Sequence, residues 1–297
     1  MKKSKCPICR IAVILLLMLN SCEFNKVGND LVDNTDLLAS NDTVNNTEED
    51  YYSMPAPSEV ISYFKENEYK FRQELMNPLS NYEKYNTHVS KILNVGIYTA
   101  DATYQILCKK TSKAASTFKV IESLCNEANI SSAFDENIKN RIIYNSVNAD
   151  SITDISIEIY LKIVNNIRET GSPDMYLILA SGSFVEIMYL MTNSIGNFSE
   201  SEKSINKVVE QKLLFDELFS ALIKIKKNED ISGIVSDMSD LKSAFDLLDV
   251  KSENIQMNKS SNGNHVLSGK NIISYSEKLY INLKTSINKL RSKWTVN

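Results

Sequence analysis

Two carboxylates lie in apolar surroundings. Asp101 sits in the stretch Leu93 to Leu107 and Glu186 in the still more apolar stretch Met175 to Leu190, with Tyr98, Tyr104 and Tyr189 close by in sequence. If helices brought both acids to one cavity, burial and mutual repulsion would raise at least one pKa. The pair could then exchange a proton with a substrate or hold a polar ligand, with Tyr98 and Tyr104 lining the pocket. The plainer alternative is that each acid meets a tyrosine hydroxyl, a backbone group at a helix end, or solvent. Other chemical signals are thin. His88 and His265 are the only histidines and lack the HExxH spacing of a zinc helix, so no metal site is expected. No nucleophile elbow, phosphate loop or dinucleotide fingerprint occurs, and no cofactor is expected.

A different reaction is written at the amino end. Lys2, Lys3, Lys5 and Arg10 precede the apolar run Ile11 to Leu19, which leads to Asn20-Ser21-Cys22. A cationic head, a short apolar middle and a small residue before cysteine describe a secretory signal whose cysteine is acylated. The run is too short to cross a bilayer core, which needs roughly 20 apolar residues. Residues 1–21 are therefore read as a lipoprotein signal peptide and Cys22 as the lipidated mature end. The expected partner is a membrane, reached through fatty acyl chains such as palmitate. Cys6 and Cys9 leave with the signal. Cys108 and Cys125 fall on neighbouring antiparallel helices but about three turns apart along the axes, so two free, buried thiols are expected.

The formal charge of −4 falls to about −8 without the four signal cations, and the stretch Glu23 to Pro57 carries roughly −7 of that. Residues 22–57 are read as a disordered acidic tether, poor in apolar residues and unable to offset the entropy of ordering. Its first thirty residues reach roughly 30 Å. Within it, Asp42-Thr43-Val44 fits a short O-glycosylation triplet, with Thr43 as the acceptor. The nearly neutral body lacks the basic face that nucleic acid requires.

The body, residues 58–297, reads as an all-α bundle of about eight to nine helices with a possible small β-hairpin near 254–268. Gly and Pro number only 8 and 5, which favours helices over turn-rich sheets. Apolar periodicity predicts helices over 58–76, 87–109, 114–128, 134–147, 150–170, 174–191, 199–226, 231–248 and 272–294. Asp150 or Ser151 is the expected cap of the fifth, and Gly171 its stop. The helix at 174–191 is apolar on nearly every side, but Glu186 and Ser181-Gly182-Ser183 inside it favour a central core helix over a membrane span. Asn262-Gly263 between short alternating pieces gives the hairpin signal.

Leu93-x-x-Gly96-x-Tyr98 and Leu179-x-x-Gly182-x-Phe184 share one spacing. Glycine inside a helix costs about 1 kcal/mol relative to alanine, so each needs a reason. Close helix crossing is the expected one; the floor of a ligand pocket is the alternative.

The segments Met54-Pro55-Ala56-Pro57-Ser58, Asn77-Pro78, Ser80 to Tyr85, Leu93 to Tyr104 and Ile178 to Tyr189 together resemble an uncharacterised α-helical lipoprotein family of Bacteroidota. The most specific part is Gly96-Ile97-Tyr98-Thr99-Ala100-Asp101. The resemblance implies a lipid-anchored helical envelope protein and supplies no activity. Related surface-exported lipoproteins carry an acidic run directly after the cysteine, whereas this chain reads Cys22-Glu23-Phe24-Asn25-Lys26. That favours an outer-membrane anchor facing the periplasm over the cell surface. The expectation is a non-enzymatic binding or scaffolding module whose partner is an envelope protein, glycan or small ligand. The alternative is a small-ligand carrier or acid/base enzyme built on Asp101 and Glu186.

Overall fold

The computed structural model describes residues 70–130, 133–169, 173–226, 228–259 and 265–296. Cys22, Thr43, Gly171 and the expected helix start at Ser58 lie outside them. The body is an all-α bundle with one antiparallel hairpin, as the periodicity predicted. In order come α1 (His88–Leu107), α2 (Thr111–Glu127), α3 (Glu136–Asn145), α4 (Ala149–Glu169), α5 (Pro173–Ser194), α6 (Glu202–Glu210), α7 (Lys212–Lys224), α8 (Glu229–Asp237) and α9 (Ser239–Asp246). Strands β1 (Asp249–Lys259) and β2 (His265–Ser274) follow, then α10 (Glu277–Val296). An irregular strap, residues 70–87, precedes α1 and contains two 3-10 turns, Gln73–Leu75 and Leu79–Lys84.

Local chemistry sets the ends of the helices. Thr87 and Ser90 form a reciprocal capping box at the start of α1. Lys109 and Asn129 adopt φ of 58° and close α1 and α2; in each case the next N–H reaches back to a carbonyl of the last turn, Lys110 to Gln105 and Ile130 to Cys125. Asp135 caps α3 by accepting from Ile138. At α4 the cap is Asn148, whose Oδ1 accepts from Asp150 and Ser151, not either of those residues themselves.

α5 is the centre. It is long and apolar enough to span a membrane, yet 83% of that window is buried inside the protein. α1 crosses it where the two glycines meet: a Cβ on Gly96 would stand 2.3 Å from the Leu179 carbonyl oxygen, and one on Gly182 would stand 2.0 Å from that of Leu93. Each glycine thus receives the backbone of the leucine three residues before the other. On the far side of α5, Phe184 meets Phe215 of α7 and Phe245 of α9, whose rings stack at 4.7 Å.

Five expectations need correction. Residues 70–76 are not α-helical: the strap bonds with itself only in short 3-10 turns, Leu75 to Arg72 and Met76 to Gln73, and several of its other backbone groups pair with side chains of other elements, as described below. The expected helix at 199–226 divides at Gln211 and that at 231–248 divides at Met238; Gln211 N–H turns back to Val208, a tighter turn than α. The last helix starts at Glu277, because Ile272 and Ile273 pair with Lys251 and Val250 as the end of β2, with Ile273 buried. The hairpin is accordingly longer than 254–268, with a register irregularity between Glu253 and Gln256.

Candidate functional site

The strap explains where the buried polar groups go. Residues 70–87 contain only two short 3-10 turns, so many of their backbone groups must find partners elsewhere. Tyr104 donates to the Lys70 carbonyl and accepts from the Arg72 N–H, and Arg72 reaches the Asn193 carbonyl at 2.6 Å. Arg291 of α10 donates to the Leu75 carbonyl at 3.3 Å. Asp101 Oδ2 accepts the Asn77 N–H at 2.9 Å, and Tyr98 donates to the Pro78 carbonyl at 2.8 Å.

Other side chains of the strap and of α1 finish α10. Its last carbonyls have no partner within the helix. Asn94 donates to Trp294 O at 3.1 Å, while Asn81 and Tyr85 donate to Thr295 O at 3.1 and 3.2 Å. Asn77 joins the two sets, donating from its side chain to Tyr85 and accepting from Asn81.

At the centre Asp101 and Glu186 face one another, and Arg291 holds Glu186 through two bonds, Nε to Oε2 at 3.0 Å and Nη2 to Oε1 at 3.2 Å. Its guanidinium also lies over the Tyr189 ring, 4.5 Å from the centroid. Asp101 is 1% exposed, Glu186 0% and Arg291 9%. Two acids therefore share one cation inside the protein, an excess negative charge that the low dielectric penalises.

A proton removes the excess. Asp101 Oδ1 is buried and meets no donor, yet Glu186 lies within hydrogen-bonding reach of Asp101. Two carboxylates cannot bond to each other; a carboxylic acid and a carboxylate can. Burial pushes Asp101 well above the usual carboxylate range, and the neighbouring charge of Glu186 pushes the same way. Burial also raises Glu186, but Arg291 opposes it directly. The proton thus belongs on Asp101 Oδ1, donated to Glu186, and the triad is electrically neutral. Burial likewise raises Tyr98 and Tyr85, which stay neutral donors.

Of the residues singled out from sequence, Asp101, Glu186 and Tyr98 belong to this cluster, and Tyr104 grips the strap one turn further along α1. Gly96 and Gly182 occupy the α1–α5 crossing. His88 is exposed at the start of α1, and among the described residues no group of three or more His, Cys, Asp or Glu could hold a metal ion. Cys108 and Cys125 are both free thiols, Cys125 buried and Cys108 only half-buried. Sequence reasoning missed Arg291, Asn77, Asn81, Asn94 and Tyr85. A signal for Arg291 existed: it follows Ile287 by four residues and so falls on the apolar stripe of α10, where a charge needs a partner.

The arrangement is a fastener. The space around the two acids is filled by Arg291, Asn77 and Tyr98, so a reacting molecule would first have to displace the strap. A shallow groove lies elsewhere, between α1 and α4, lined by Thr99, Thr103, Ile106, Leu107, Thr153, Ser156, Ile157 and Tyr160. Comparison with protein-family models, with curated proteins and with solved structures finds no match to the chain.

Proposed function

We propose that this protein is a lipid-anchored helical module of the cell envelope, held to the outer membrane through Cys22 and facing the periplasm. In this reading it binds or scaffolds an envelope protein, glycan or small ligand and does not turn over a substrate. The observation that carries the anchor is the sequence Leu19-Asn20-Ser21-Cys22 after a cationic head and a short apolar run. The non-enzymatic part is supported by the commitment of Asp101, Glu186 and Arg291 to one another and to the strap at near-zero exposure. General acid–base groups must come within hydrogen-bond reach of a substrate, and here the bonding positions of Glu186 and Arg291 and one oxygen of Asp101 are taken up within the protein.

Cell fractionation of wild type and Cys22→Ala, with intact-mass analysis of the purified chains, tests the anchor. Wild type partitions with membranes and carries acyl mass at residue 22, while the variant is released. Membrane attachment of the variant, or an unmodified Cys22, would refute it. Thermal shift against envelope sugars, peptides and lipids tests the rest. A ligand whose stabilisation disappears in Asp101→Asn would turn the reading toward a carrier or enzyme built on the acid pair.

A further inference from the structure

The most exposed large apolar side chains among the described residues are Ile143, Tyr144 and Val147, at 65%, 82% and 83%. They fall within five residues, at the end of α3 and in the turn to α4, on a stretch without charge between Arg141 and Asp150. Behind them the α3 charges are already paired, Lys139 with Glu122 and Arg141 with Glu158.

Ion pairs fix where this turn lies. Lys91–Glu127 sets the start of α1 beside the end of α2, and Lys139–Glu122 starts α3 at that same end. Arg141–Glu158 and Lys162–Asp135 then bring α4 back along α3. α3 therefore runs toward the end of the bundle where α1 finishes, and there α4 lies on Thr103, Ile106 and Leu107. The strap enters at that end too, where Lys70 is held by Tyr104. The exposed turn and Lys70, the first described residue after Cys22, share one end of the described bundle.

We propose that the Ile143–Val147 turn is a membrane-contact surface, inserted into the headgroup boundary of the bilayer that holds the lipid on Cys22. This rests on the proposed anchor. Two branched aliphatic side chains and a tyrosine, apolar in the ring and polar at the tip, suit that boundary, and Asn145 and Asn148 meet headgroups without a charge to desolvate. Three side chains alone bind a membrane weakly, but a tethered chain presents them at high effective concentration. Their contact then orients the body. A second copy is the poorer occupant: three exposed apolar side chains fall far short of the roughly 20–30 residues a side of a stable interface.

The test is amide exchange of the peptide covering residues 142–148, with the lipidated chain on vesicles of phosphatidylethanolamine and phosphatidylglycerol and the Cys22→Ala chain free in solution. Exchange slows about tenfold on vesicles, and Ile143→Asp with Val147→Asp abolishes the slowing while leaving the circular dichroism unchanged. Equal exchange with and without vesicles overturns the proposal. So does slowing that grows with protein concentration in the absence of lipid, which would mark a second copy as the occupant. Intact mass reports acylation of Cys22 separately. If the cysteine is unmodified, the chain is attached to nickel-chelating vesicles through a histidine tag placed before residue 22, and the turn is judged there.

Discussion

Glu186 and Arg291 are separated by 105 residues in sequence and joined by two hydrogen bonds of 3.0 and 3.2 Å with almost no solvent between them and the core. Removing Arg291 leaves the Glu186 charge buried alone, so Arg291→Met should cost about 3–5 kcal/mol in urea unfolding, and Glu186→Gln somewhat less because Asp101 can then carry the charge opposite Arg291. The combined variant should cost at least about 2 kcal/mol less than the sum of the two. Simple additivity would mean that the pair does not interact as described.

Asp101 carries a proton in the folded protein that it loses readily when unfolded. Such a group contributes its full stabilisation below the ordinary carboxyl range, near pH 4, and loses it as pH rises toward the raised folded value. Asparagine keeps both bonds, a donor toward Glu186 and an acceptor for the Asn77 N–H, and does not titrate. The stability difference should therefore shift steadily in favour of Asp101→Asn as pH rises from about 4. Parallel curves for variant and wild type would place the proton elsewhere. Asp101→Ala, which keeps neither bond and does not titrate, should lose about 3 kcal/mol near pH 4 and progressively less as pH rises.

The two interlocked glycines make opposite predictions to a third. In Gly96→Ala or Gly182→Ala the new methyl would meet a backbone carbonyl at 2.3 or 2.0 Å, forcing α1 and α5 apart at a cost of about 2–3 kcal/mol despite the gain in helix propensity. Gly233 in α8 has nothing within 4 Å of the same position, and Gly233→Ala should stabilise by up to about 1 kcal/mol. Thermal melts of the three variants are sufficient to check this.

Burial raises the Cys125 thiol to about 12, so almost no thiolate exists at neutral pH. Iodoacetamide should modify Cys125 only as fast as the body unfolds, and mass spectrometry of native and urea-unfolded Cys22→Ala protein would separate the two rates. Fast labelling of Cys125 in the native state would contradict its place in the core.

What could be read from sequence was what repeats along the chain. The stripes of α1 and α4, the all-round apolar character of α5, the hairpin and the shared leucine–glycine spacing all depend on residues near one another, and the structure contains each of them. The breaks at Gln211 and Met238 involve neither proline nor glycine, so nothing local announces them. The strap was misread as helix because Phe71 and Leu75 keep a helical spacing, while the partners of its backbone, Tyr104, Asp101 and Arg291, lie up to 216 residues away. The candidate site was half legible for the same reason. Asp101 and Glu186 stood out against their apolar neighbours, whereas Arg291 sits among Lys289, Ser292 and Lys293 and looks like ordinary surface.

The distance between those partners also bears on the order of events during synthesis. By the time the ribosome reaches residue 291, α1 and α5 have long been made, yet their acids have no counter-charge and the strap lacks its bond to Arg291. The nascent body must stay open at that seam until its final helix arrives. A premature stop before Arg291 should yield not a slightly shortened protein but one unable to shut, and so an early substrate for proteases.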